Sequence, residues 1–134
     1  MPTLPLPDDA LAMLAQPSRA VMATVRRDGS PVTAATWYLL DEGRVLLNLD
    51  ATRVRLTHLR RDPRVSLTVL GGDDWYSHLT LLGSVVDLQS DTDRSGIDRL
   101  SRHYTGHAYP DREGERWSGW LEIDRWTGWG AYKS

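Results

Sequence analysis

Two apolar runs, Ala20 to Arg26 and Pro31 to Leu40, are separated by Asp28-Gly29. That spacing constrains the fold more than any other feature of the chain. An Asp-Gly pair readily takes the positive φ angles of a tight antiparallel turn, so the two runs read as a hairpin. The return strand, PVTAATWYLL, is apolar on both faces: Val32, Ala34, Thr36, Tyr38 and Leu40 on one, Thr33, Ala35, Trp37 and Leu39 on the other. Such a strand is expected to be covered on both sides. In a chain of 134 residues, barrel interior can cover one side and a subunit interface the other. Asp41-Glu42-Gly43 then turns the chain into a third strand, Arg44 to Leu49.

The next segment, TRVRLTHLRRDPRVSLTVL from Thr52 to Leu70, reads as a short helix over Arg53 to Arg61, stopped before Pro63, and a strand from Arg64. Thr52 is the expected N-cap. Arg53 and Arg55 fall in the first turn, where the helix end carries partial positive charge and acidic side chains are favoured. An external anion would complete this arrangement, because a helix N-terminus with guanidinium groups is a phosphate site. The competing reading is a solvated surface face. His58, on the same helix, is expected to face solvent.

Asp8 is the expected cap of a first helix, Asp9 to Ala15. Trp75 to Leu88 reads as a long strand with a bulge at Gly83, and Asp91 to Tyr104 as a helix. Thr105 to Arg116 is a polar loop long enough to serve as a lid. Trp117 to Ile123 alternates as a strand, and Trp126 to Tyr132 extends or pairs with it. The total is roughly six strands and three helices in one domain, 1–134, with successive hairpins instead of βαβ units. The expected fold is therefore mainly β, a six-stranded antiparallel barrel with peripheral helices.

Composition removes several function classes. A net charge of −2 gives no global case for nucleic acid or membrane binding. All but one of the 16 basic residues are arginines, a bias that lowers the weight of any single one. Cysteine is absent, which removes disulfides, thiolate metal sites and a cysteine nucleophile. No signal peptide and no run of about 20 apolar residues is evident, so a cytoplasmic location is expected. His103 and His107 have helical metal spacing, but Gly106 lies between them and no third ligand is evident, so no metal is expected. There is no P-loop, no dinucleotide glycine fingerprint and no nucleophile elbow. Six Trp and five Tyr stand against no Phe, a choice suited to ligand pockets and interfaces as well as to core packing.

Three segments, MATVRRDGSPVTAATWYL (Met22 to Leu39), LLNLDATRVRLTHLRRDPRVSLTVL (Leu46 to Leu70) and LLGSVV (Leu81 to Val86), resemble the pyridoxamine 5′-phosphate oxidase-like family of flavin- and deazaflavin-binding split β-barrels. HLRRDPRVSL is the most diagnostic stretch, and the wording is most similar to the short actinobacterial branch that uses the deazaflavin F420. The resemblance implies a homodimer with cofactor at the interface. It places the cofactor phosphate at Arg53 and Arg55 beside Thr52, with Arg standing at position 55 where members commonly carry Lys. It lays the ring and ribityl chain along Thr33, Ala34, Ala35, Thr36 and Trp37, then Asn48 and Leu49. His78 falls where relatives place a polar side chain near the ring, and Trp126 or Trp129 could supply a C-terminal aromatic contact. Arg60, with Arg61 and Arg64, could receive the anionic tail of F420.

The implied function is an F420-dependent reductase that transfers a hydride to a small unsaturated substrate. No acid or base is obligatory, and His78 and Tyr104 are the candidates for proton donation. The alternatives are an FMN-binding oxidoreductase of pyridoxamine-phosphate-oxidase type and a non-catalytic barrel that binds flavin or, through His78 or His103, haem. A partner-binding barrel without cofactor is the remaining class.

Overall fold

The computed structural model describes residues 4–133. Among them the order is α1 (Asp8–Leu14), β1 (Ala20–Val25), β2 (Pro31–Thr36), β3 (Leu39–Asp41), β4 (Arg44–Asp50), α2 (Val54–Arg61), β5 (Arg64–Leu70), β6 (His78–Ser90), α3 (Ser95–Thr105) and β7 (Arg116–Trp129), ending in a 3-10 turn at Gly130–Tyr132. The strands form one antiparallel sheet in the order β2-β1-β5-β6-β7-β4-β3.

Seven strands replace the expected six because Pro31 to Leu40 is not continuous. β2 pairs with β1 at one edge of the sheet, and β3 pairs with β4 at the other. Only Trp37 and Tyr38 separate them, and three peptide steps span at most about 11 Å. The end of β2 and the start of β3 are therefore held close, and the sheet curls into a barrel that is not closed by pairing between these two strands. Tyr38 makes the corner. Its ring is fully buried, its Oη donates to the Gln16 carbonyl at 3.1 Å, and its N–H leaves the ladder to donate to Tyr104 Oη at 3.3 Å. Burial pushes the Tyr38 phenol up to about 12.

Strand alternation sends Met22, Leu47, Leu49, Leu67, Leu79, Leu81 and Leu121 into the barrel. α1 adds Ala10, Met13 and Leu14, and α2 adds Leu56 and Leu59. His58 does not face solvent. It is buried, and its Nδ1 lies 3.0 Å from Thr24 Oγ1, tying α2 to β1. The expected double cover of β2 is also incomplete in this chain, since Pro31, Thr33 and Ala35 are exposed.

Several element ends differ from expectation. Pro7 takes the N-cap position of α1 and Asp8 opens its first turn, where an acid offsets the helix dipole. α3 begins at Ser95 because Arg94 adopts a left-handed conformation (φ 61°). β7 runs unbroken through the expected gap at Asp124-Arg125. The register does shift between Leu82 and Gly83, and a Cβ at Gly83 would collide with the Glu122 carbonyl oxygen. Gly83→Ala is therefore expected to cost about 1–3 kcal/mol, read as a lower urea midpoint; an unchanged midpoint would show that β7 yields at this position.

Candidate functional site

The site grows from the turn that leads β4 into α2. Asp50 Oδ1 accepts the Thr52 N–H at 2.9 Å and the Thr52 hydroxyl at 2.8 Å. Thr52 is thereby used up in a local turn and does not cap the helix. Arg53 stands at the N-cap position without a side-chain cap, and no acid occupies the first turn. The positive end of α2 is left unopposed.

Arg53 is exposed, but Arg55 turns inward. Its Nη1 is buried with no hydrogen-bond partner among the described residues. Burial first, then the neighbouring Arg53 and Arg116 charges, hold the Arg55 guanidinium below its ordinary value. A guanidinium does not give up its proton near neutral pH, so this nitrogen is a buried donor lacking an acceptor, a costly state in the protein alone.

Arg55 reaches a pocket of about 500 Å³. Ala35, Thr36 and Trp37 form one wall, and Ile97, Leu100 and Tyr104 of α3 another. Trp37 stacks on Tyr104 (centroids 5.2 Å, 13°) and meets the edge of Tyr109 (6.1 Å, 89°). Asn48, Arg116 and Arg19 supply polar lining. A second groove of about 320 Å³, lined by residues 32–35 of β2 and by Arg53, Val54 and Arg55, shares Ala35 and Arg55 with the pocket. Arg55 thus stands at the junction of two spaces, one aromatic and one lined by small β2 side chains.

The 106–115 loop is tied to α3. Arg112 grips Asp98 with both terminal nitrogens (2.6 and 3.2 Å), the Tyr109 N–H donates to Asp98 Oδ1 (3.0 Å), and Arg94 donates to the Gly114 carbonyl (2.7 Å). The Arg112 hydrogen bond holds the Asp98 carboxyl below the usual carboxylate range. These bonds present Tyr109 as a fixed wall of the pocket.

The family described as pyridoxamine 5′-phosphate oxidase matches this chain over residues 6–130. The chain belongs to that family. Family membership accounts for the wide structural likeness. A protein described as an F420 reductase superposes with a TM-score of 0.83 at 23% identity, over 91% of this chain and 98% of the other. The conserved hypothetical protein Rv2991 from Mycobacterium tuberculosis gives 0.75 at 22%, over 95% and 86%. General Stress Protein 26 from Bacillus anthracis gives 0.68 at 14%, over 91% and 92%. At these identities the likeness speaks for the fold.

Among the residues singled out from the sequence, Ala35, Thr36, Trp37, Asn48, Arg55 and Tyr104 line the pocket, and Thr33, Ala34 and Arg53 line the adjoining groove. The others lie elsewhere. Leu49 points into the core at 1% exposure. Arg60 lies over the Trp117 ring at 4.5 Å, Arg61 donates to the Val25 carbonyl, and Arg64 pairs with Asp62 at 2.7 Å, so none of the three borders the pocket. His78 opens β6 opposite Trp129 and lines neither space. Tyr104 donates its phenol proton to the Ser18 carbonyl at 2.7 Å, and burial pushes its pKa up. It holds its proton as a brace between α3 and the β1 entry.

Sequence reasoning missed Arg116, Tyr109, Ser18 and Arg19. Arg116 becomes visible only through pairing, since it sits opposite Asp50 in the β4–β7 ladder and thus beside the start of α2. Among the described residues no group of three His, Asp or Glu side chains is placed to hold a metal, and no helix is long and apolar enough to cross a membrane.

Proposed function

We propose that this protein binds a phosphorylated flavin-type cofactor, F420 in preference to FMN, and transfers a hydride to a small unsaturated organic substrate. The observation that carries this reading is the buried, partnerless Nη1 of Arg55 at the uncapped start of α2. A phosphate oxygen is the acceptor that such a group lacks. When bound, a cofactor of this type supplies the hydride chemistry itself.

The chain's own residues supply binding, orientation and exclusion of water. Arg53 and Arg55 hold the phosphate. The small side chains of Ala34 and Ala35 let a planar ring approach the β2 backbone. Trp37, Tyr104 and Tyr109 form a water-excluding wall. Tyr104 keeps its phenol proton, committed to the Ser18 carbonyl, and would brace the wall without serving as a proton donor. F420 is favoured because Arg19 lines the pocket in addition to the phosphate anchors and suits a long anionic tail. The family match supports FMN as the alternative.

A second copy of the chain completes the site in this proposal. β2 is an edge strand with exposed Thr33 and Ala35, and Val21, paired with Ala35, is 41% exposed on β1. This small-residue face is suited to close packing against its own copy. Titration of the purified protein with F420 and with FMN, followed by cofactor fluorescence, tests the cofactor reading. Saturable binding tighter for F420 is expected. Binding of FMN alone would transfer the site to the flavin, and binding of neither would overturn the proposal.

A further inference from the structure

Arg116, the first residue of β7, is aimed by a chain of hydrogen bonds whose polarity is fixed at both ends. The chain starts at Asp91, a carboxylate with 6% exposure that accepts the backbone N–H groups of Gly96 and Ile97 at 2.9 Å each. Asn48, equally buried, donates Nδ2 to Asp91 Oδ2 at 3.0 Å and to Ser118 Oγ at 2.9 Å. A carboxylate only accepts and a guanidinium only donates. The Asn48 amide therefore has a single orientation, Nδ2 toward Asp91 and Oδ1 toward Arg116. Oδ1 takes the Arg116 Nε–H at 2.6 Å.

With Nε committed, no hydrogen bond among the described residues engages the two terminal nitrogens of Arg116. The carboxylate facing them, Asp50, stands 3.9 Å from Nη1, beyond hydrogen-bond range. The guanidinium carbon lies 5.1 Å over the Tyr109 ring, and the side chain is only 12% exposed. Arg116 is thus a held, largely desolvated cation with donors to spare. It lines the same pocket as Arg55, which has a spare donor of its own.

We propose that Arg116 is the second arm of an anion clamp with Arg55, that Asn48 is its positioning residue, and that the clamp grips a phosphate group. The identity of the phosphate as that of a flavin-type cofactor rests on the function proposed above; the clamp does not. Asn48 accordingly acts through Arg116, its amide being engaged with Asp91, Ser118 and Arg116.

The test compares FMN with riboflavin, which differ only in the phosphate, and F420 with its ring–ribityl fragment, which lacks the phosphate together with the anionic tail; the FMN pair decides wherever both pairs bind. Arg116→Gln is expected to weaken the phosphorylated member of each bound pair by roughly ten- to a hundredfold and to leave its phosphate-free counterpart unchanged. Asn48→Ala is expected to produce a smaller loss, and no further loss when added to Arg116→Gln. A purely structural Asn48 would lower affinity in both backgrounds and for both ligands. Equal weakening of phosphorylated and phosphate-free ligands by Arg116→Gln, or no weakening at all, overturns the clamp while leaving the cofactor reading standing. If the wild-type protein binds none of the four, the cofactor reading fails and the clamp is judged with inorganic pyrophosphate alone. Thermal stabilisation by pyrophosphate that Arg116→Gln abolishes supports the clamp, and its absence from the wild-type protein overturns it.

Discussion

Arg55→Ala is expected to weaken cofactor binding by about 1.5–3 kcal/mol, the value of a charge-assisted hydrogen bond, or roughly ten- to a hundredfold in Kd. The same substitution is expected to leave the ligand-free protein as stable as before, or more so. Both expectations come from one observation. The Arg55 guanidinium is partly desolvated, one of its nitrogens has no acceptor, and the charges nearest to it are those of Arg53 and Arg116. Without ligand the group is a burden, because burial and like charge both act against it. With a phosphate in place those costs become attraction. At a ligand concentration 100 times Kd, binding stabilises a protein by about 2.7 kcal/mol, and most of that shift should disappear in the variant. Paired thermal melts with and without cofactor measure both effects. An Arg55→Ala protein that is less stable without ligand, yet melts later with it by the wild-type increment, would make Arg55 a structural residue and remove it from the site.

The parts of this arrangement that sequence reasoning reached are those written in local patterns. The Asp28-Gly29 hairpin and the arginine-headed helix each depend on residues within a few positions of one another. Pro31 to Leu40 shows where local reading fails. Its alternation is unbroken, and the split between β2 and β3 depends on a long-range hydrogen bond from the Tyr38 N–H to Tyr104, 66 residues away. Thr52 fails for the opposite reason. It has cap chemistry, but Asp50 lies two residues back and captures both its N–H and its hydroxyl, leaving Arg53 at the cap position. Arg60, Arg61 and Arg64 are as basic as Arg55, and periodicity does not tell them apart. The structure does: Arg60 has Trp117, Arg61 the Val25 carbonyl and Arg64 Asp62, while Arg55 keeps a nitrogen without an acceptor. Arg116 carries no motif at all, and its place follows from the pairing of β7 with β4.

Asp91→Ala is expected to be among the most destabilising single changes in this protein, at about 3–5 kcal/mol. The carboxylate serves three donors, the Gly96 and Ile97 N–H groups at the start of α3 and the Asn48 amide. Loss of a helix-capping side chain alone costs about 0.5–2 kcal/mol, and each buried donor left unpaired adds about 1–3 kcal/mol, with partial relaxation keeping the total below the sum. Asp91→Asn separates charge from shape. Its amide keeps one oxygen acceptor but turns an NH₂ toward groups that are themselves donors, so a loss of about half the alanine value is expected. Urea unfolding followed by far-UV circular dichroism gives both numbers. Because Asp91 also sets the Asn48 orientation, both variants should free the Arg116 guanidinium and reduce the preference for phosphorylated over phosphate-free ligand. If Asp91→Asn unfolds like the alanine variant, the ionic charge of Asp91 dominates over its hydrogen-bond geometry. If it unfolds like wild type, the three bonds are not what holds the start of α3 to the barrel.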